Sequence, residues 1–122
     1  RVFIGDLSTG EKVPKETYDC FICTQTLPFI YDVKNAARNI VKTLKPGGSA
    51  LVTAGVISQI ITNDRRRYGH YWSFTDMSMK NLFSDIKGVS KVKIFTYGNV
   101  KSAVSFLYGL SWEEIGKEVL NI

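Results

Sequence analysis

Apolar and polar positions change period several times along the chain, and those changes predict its elements. Tyr18-Asp19-Cys20-Phe21-Ile22-Cys23 is a nearly continuous apolar run, the pattern of a strand covered on both faces in a parallel sheet. The chain then turns polar at Thr24-Gln25-Thr26, where such a strand would emerge. From residue 33 the period lengthens. Val33, Ala36, Ala37, Ile40, Val41 and Leu44 fall on one helical stripe, and Asp32 is placed to cap it. Lys45 suits the negative end of the helix dipole, Pro46 cannot continue the helix, and Gly47-Gly48 permit a sharp reversal. Ser49-Ala50-Leu51-Val52-Thr53 reads as the next parallel strand, which completes a βαβ unit. Upstream, Val2-Phe3-Ile4 reads as a preceding strand that ends at Gly5-Asp6-Leu7.

Beyond Thr53 the pattern predicts a long connection from Ala54 to Phe74, with a short helix over Val56–Thr62. Thr75 is placed to cap a helix that buries Met79, Leu82, Phe83 and Ile86 and stops at Gly88. Lys91 to Tyr97 alternates as an edge strand does. Helices are expected at Val100–Tyr108 and at Trp112–Leu120, the second opened by a Ser111-x-x-Glu114 capping box.

Composition narrows the class. A chain of 122 residues with 44% apolar content supports one domain over 1–122 with a sizeable core. No apolar run is long enough to span a bilayer and no leader pattern is visible, so no membrane partner is expected and a cytoplasmic location is. Cys20 and Cys23 form a C-x-x-C spacing, but strand residues three apart face opposite ways and two further metal ligands are wanting. They are read as buried free thiols in a reducing compartment, and no metal is expected. The net charge of +5 and Arg65-Arg66-Arg67 beside Tyr68, Tyr71 and Trp72 keep nucleic-acid binding open as the weaker alternative.

The ordered tract Tyr18-Asp19-Cys20, Thr24-Gln25-Thr26-Leu27 and Leu44-Lys45-Pro46-Gly47-Gly48-Ser49-Ala50-Leu51-Val52 resembles the second half of a class I S-adenosylmethionine-dependent methyltransferase domain. In that family a "D-x-hydrophobic" strand ends beside the cofactor and an "L-K-P-G-G" turn leads into the next strand. Val2-Phe3-Ile4-Gly5-Asp6-Leu7 is similar to the preceding strand and its acidic residue. Tyr68-Gly69-His70-Tyr71-Trp72-Ser73-Phe74-Thr75 is similar to a loop of bacterial members, some of them associated with glycan biosynthesis. The family's glycine-rich loop and the acid at the end of its second strand have no counterpart here. The resemblance therefore implies a partial Rossmann-like, three-layer α/β fold with a mostly parallel sheet. It also implies a fragment that corresponds to the C-terminal part of the domain, inactive alone and prone to pair as a homodimer through its uncovered strand.

What the resemblance implies for chemistry is methyl transfer from S-adenosylmethionine to a small-molecule or glycan acceptor. Asp6 would accept a hydrogen bond from the adenine amino group and Leu7 would pack on the ring. Thr24, Gln25, Thr26 and Leu27 would line the cofactor near its sulfonium. Arg67, Tyr68, Tyr71 and Trp72 would form the acceptor platform. His70, the one histidine, is the catalytic-base candidate, with a structural histidine between two aromatics as the alternative. A methyltransferase-like module that binds a partner without catalysis is the other reading of the same residues.

Overall fold

The computed structural model describes Val2 and residues 4–116. The βαβ unit is its centre. Strand β1 (Tyr18–Thr24) is followed by a 3-10 turn (Leu27–Phe29), helix α1 (Val33–Thr43) and strand β2 (Leu44–Thr53). β2 returns parallel to β1, with Phe21 opposite Ala50, Ile22 opposite Leu51, Cys23 opposite Val52 and Thr24 opposite Thr53. The register slips between Tyr18 and Cys20, because Lys45–Gly48 loop out of the ladder opposite Asp19. Gly47 supplies the turn with a φ of +81°. Lys45 reaches Asp19 rather than serving the helix end alone, with Nζ 3.0 Å from Oδ2. Both groups are solvated, so the pair is worth at most about 1 kcal/mol.

Helix α1 forms where the stripe places it. The Asp32 carboxylate accepts from Asn35 N at 3.1 Å, and Val33, Ala36, Ala37 and Ile40 are buried against the sheet. Together with Cys23, Leu27, Phe74 and Phe83 they make the core, with Phe21 and Val52 partly buried against it. Leu27 and Ile40 are fully buried, each stabilising the fold by about 1.5–3 kcal/mol through removal from water. Two polar residues share this stripe. Thr43 satisfies its hydroxyl on Ile40 O at 2.7 Å, and Asn39 donates to Leu7 O at 2.8 Å. Near the end of α1, Glu16 N and Thr17 N donate to the Lys42 and Thr43 carbonyls at 2.9 and 2.8 Å.

Four short helices follow among the described residues. Helix α2 spans Thr62–Arg67, α3 Asp76–Ser84, α4 Val100–Leu107 and α5 Trp112–Ile115. Thr75 caps α3 through a reciprocal exchange with Ser78, and Phe83 carries α3 into the core beside α1. Asn99 caps α4 in the same way, and Glu114 accepts from Ser111 N at 2.7 Å at the start of α5.

Five expectations are corrected. Val2 and Ile4 join no strand and are almost fully exposed; the chain turns at once, with Gly10 N donating to Asp6 O at 2.8 Å, while Phe3 lies outside the described residues. Lys91–Tyr97 is likewise no strand, because no ladder partner lies beside it among the described residues, and Phe95 and Tyr97 stay in solvent. Val56–Thr62 is not helical: only Thr62 belongs to a helix, the first residue of α2. α5 stops at Ile115, and the expected extension to Leu120 lies partly outside the described residues. Cys20 also departs from the reading of two buried thiols. It sits on the open face of β1 with Ile22, opposite the face that buries Cys23. The sheet is thus two-stranded and parallel, with α1 over one face while Ile22 and Leu51 on the other are more than half exposed.

Candidate functional site

The carboxyl ends of β1 and β2 meet at Thr24 and Thr53, and the chain leaving β1 bends there abruptly. Gln25 adopts φ +51°, a left-handed backbone that costs a non-glycine residue about 1–2 kcal/mol. Two contacts hold it. Gln25 N donates to Thr53 O at 2.9 Å, and Nε2 reaches Thr53 Oγ1 at 3.4 Å. Gly55, in the next connection, lies beside the amide; a Cβ there would make ordinary contact with Gln25 Oε1 at 3.7 Å. Strain fixed in this way at a strand end is the kind of feature that accompanies binding sites. Thr26 then bonds back to Thr24 O at 3.0 Å, which sets the start of the 3-10 turn.

Beyond these ends lies a cavity of about 780 Å³, lined by Asp6, Ser8, Gln25, Thr26, Phe29, Ile30, Tyr31, Asp32, Tyr68 and Tyr71. It is an open cleft rather than an enclosed chamber, accessible to a ligand from solvent. Asp6 is fixed in orientation. Its Oδ1 accepts from Ser8 N at 2.7 Å, Ser8 Oγ at 2.6 Å and Thr9 N at 3.4 Å. These bonds, the Ser8 hydroxyl first, hold the carboxyl below its ordinary range, so it is ionised at neutral pH. None of these three bonds goes to Oδ2, which remains able to accept a hydrogen bond. The loop that carries Asp6 is tied to α1 twice, by Asn39 Nδ2 on Leu7 O and by Asn35 Nδ2 on Ser8 O.

The aromatic wall comes from the distant loop after α2, fastened to the 3-10 turn. Tyr71 N donates to Pro28 O at 2.8 Å. Trp72 Nε1 donates to the carbonyls of Ile30 and Tyr31 at 2.9 and 3.1 Å. Tyr31 meets Tyr71 edge-on at 5.3 Å and stacks with Trp72 at 6.2 Å. Gly69 makes the approach possible: its φ is +83°, and the Tyr71 ring occupies the space a Cβ would take.

Of the residues singled out in the sequence, the cavity brings together Asp6, Gln25, Thr26, Tyr68 and Tyr71. The others stand elsewhere. Leu27 is in the core, Leu7 packs partly buried against it, and Thr24 closes the strand. Trp72 braces the wall from behind through its indole. Arg67 lies 5.9 Å from the Tyr68 ring centroid, outside the lining. His70 packs on Phe29 at 5.4 Å, and its Nδ1 is buried with no partner among the described residues. Ser8, Phe29, Ile30, Tyr31 and Asp32 line the cavity without having been anticipated. Ser8 had a legible signal, since an Asp-x-Ser sequence favours a side-chain-closed turn. No cluster of metal-ligating side chains occurs among the described residues.

A family model described as a methyltransferase domain matches residues 2–52, from the approach to Asp6 through the end of the βαβ unit. The match lies at the N-terminal end of the chain, which corrects the expectation that the whole chain corresponds to a C-terminal half of the domain. The loop resemblance at Tyr68–Thr75 falls outside it. No curated protein and no solved structure matches the chain.

Proposed function

We propose that this protein, whose residues 2–52 belong to the methyltransferase-domain family, transfers a methyl group from S-adenosylmethionine to a small-molecule or glycan acceptor in the cavity beyond β1 and β2. The observation that carries the reading is the convergence of Asp6, Gln25 and Thr26 with Tyr68 and Tyr71 on that one cavity. Their chemistry fits the cofactor. Asp6 offers a fixed, ionised carboxylate with Oδ2 able to accept an adenine amino hydrogen, the role implied for it. A charge-assisted bond of this kind contributes about 1.5–3 kcal/mol.

S-adenosylmethionine supplies a methyl group already activated on a sulfonium. What remains for the chain is to align the acceptor and exclude water. Gln25 and Thr26 stand where the strand ends meet and line the reacting end, with Gln25 held by Thr53. Tyr31, Tyr68 and Tyr71 line the cavity, and aromatic side chains there suit the apolar side of a sugar or another flat acceptor. His70 lies beside the cavity rather than in its lining, so a proton leaving the acceptor passes to solvent or to the acceptor's own groups.

The test is calorimetric titration with S-adenosylhomocysteine. Binding by the natural protein that weakens about tenfold or more in Asp6→Ala supports the reading. No heat from the natural protein would overturn it.

A further inference from the structure

The connection that leaves β2 and the helix after it carry a surface that, Tyr68 apart, methyl transfer does not use. Val56, Ile57, Ile60 and Ile61 are all exposed, Ile60 to 65%. Four aliphatic side chains within six residues form a patch that a soluble surface ordinarily hides. Arg65, Arg66 and Arg67 follow immediately and are exposed on α2, which buries none of its residues. No ion pair holds any of the three among the described residues. The Ile61 carbonyl accepts from Arg65 N at 2.9 Å, so the last isoleucine leads directly into the first turn of the helix that carries the arginines. Tyr68 closes the run, more than half exposed, with Arg67 over its ring.

Aliphatic side chains, guanidinium groups and a tyrosine in one exposed run match the layers of a bilayer surface. The hydrocarbon boundary takes the first, lipid phosphates the second and the interface the third. We propose that residues 56–68 dock on an anionic lipid bilayer, with the isoleucines in the acyl boundary and the arginines on head-group phosphates. A nucleic acid would engage the arginines but leave the isoleucines in water, which is why the bilayer is the better fit. The expectation of no membrane partner rested on spanning segments. No described helix is long and apolar enough to cross a membrane, but surface docking needs none. Tyr68 also lines the cavity, so docking brings the cavity mouth to the head-group layer.

Flotation with vesicles tests this. The chain should float with phosphatidylcholine vesicles containing about one-third phosphatidylglycerol, and not with phosphatidylcholine alone. Replacing Arg65, Arg66 and Arg67 by Ala should cost about fivefold per arginine, about a hundredfold together. Ile57→Ser with Ile60→Ser should also weaken binding, and both sets of side chains are exposed, so the fold has no reason to fail. Failure to float with anionic vesicles, or binding unchanged in the arginine variant, would overturn the proposal. So would arginine-dependent binding unaffected by the two serines and matched by single-stranded RNA, because that marks a general polyanion site.

Discussion

Gly69→Ala exposes how the aromatic wall is held. Gly69 closes α2 in the left-handed conformation, with φ +83° and its N–H on Arg65 O at 3.1 Å. Alanine there costs about 1–2 kcal/mol from the backbone alone. The added Cβ would then stand 2.3 Å from Tyr71 Cζ and 2.4 Å from its hydroxyl oxygen, more than 1 Å inside contact distance. The ring must leave, and with it the edge-on contact to Tyr31 worth about 0.5–1.5 kcal/mol. The summed loss is about 2–3 kcal/mol, concentrated in this wall because Tyr71 is half-exposed and can swing outward. Urea unfolding of Gly69→Ala, Tyr71→Ala and the double variant separates the parts. In the Tyr71→Ala background the glycine substitution should cost only its backbone share, about 1–2 kcal/mol. Equal costs in both backgrounds would refute the claim that Gly69 exists to admit the Tyr71 ring.

Other perturbations read other parts of the account. Asn39→Ala strands the Leu7 carbonyl beside α1 and should lower stability by about 1–3 kcal/mol in urea unfolding, while loosening the Asp6 loop. Ser8→Ala removes the main cause of the lowered Asp6 pKa, so an NMR pH titration should show the carboxyl rising toward its ordinary value. The sign follows from that direction. Because the folded value is depressed, loop order linked to the Asp6 charge is present above the ordinary carboxylate pKa and is lost as pH falls through the folded one; Ser8→Ala moves that loss to higher pH. Burial pushes the Cys23 thiol up, whereas Cys20 is exposed, so iodoacetamide followed by mass spectrometry should label Cys20 far faster.

The βαβ unit was legible because its periods are long and Asp32 opens the helix; its end was read too late, because α1 stops at Thr43 and Leu44, expected on the helical stripe, already opens β2 ahead of Pro46 and Gly47. The strands at Val2–Ile4 and Lys91–Tyr97 were misread for one physical reason. Alternation reports a side-chain preference, but a strand exists only when a neighbour completes its ladder, and neither segment has one among the described residues. Gln25 and Thr26 could be placed from the rule that sites lie beyond carboxyl strand ends, whereas Asp6, expected at the end of a strand that does not form, reaches the cavity on a loop tied to α1 by Asn35 and Asn39. Tyr31 could not, because its place on the wall depends on a contact with Tyr71, forty residues away in a loop without period. Nor could the strain at Gln25, since glutamine carries no turn signal.

The central claim is that the cavity at the ends of β1 and β2 receives the cofactor. The measurement that tests it most directly is NMR mapping of backbone amides during titration with S-adenosylhomocysteine. Shifts confined to Asp6, Ser8, Gln25, Thr26 and their neighbours are the result the account predicts. Shifts centred on another surface, or none at saturating ligand, would contradict it.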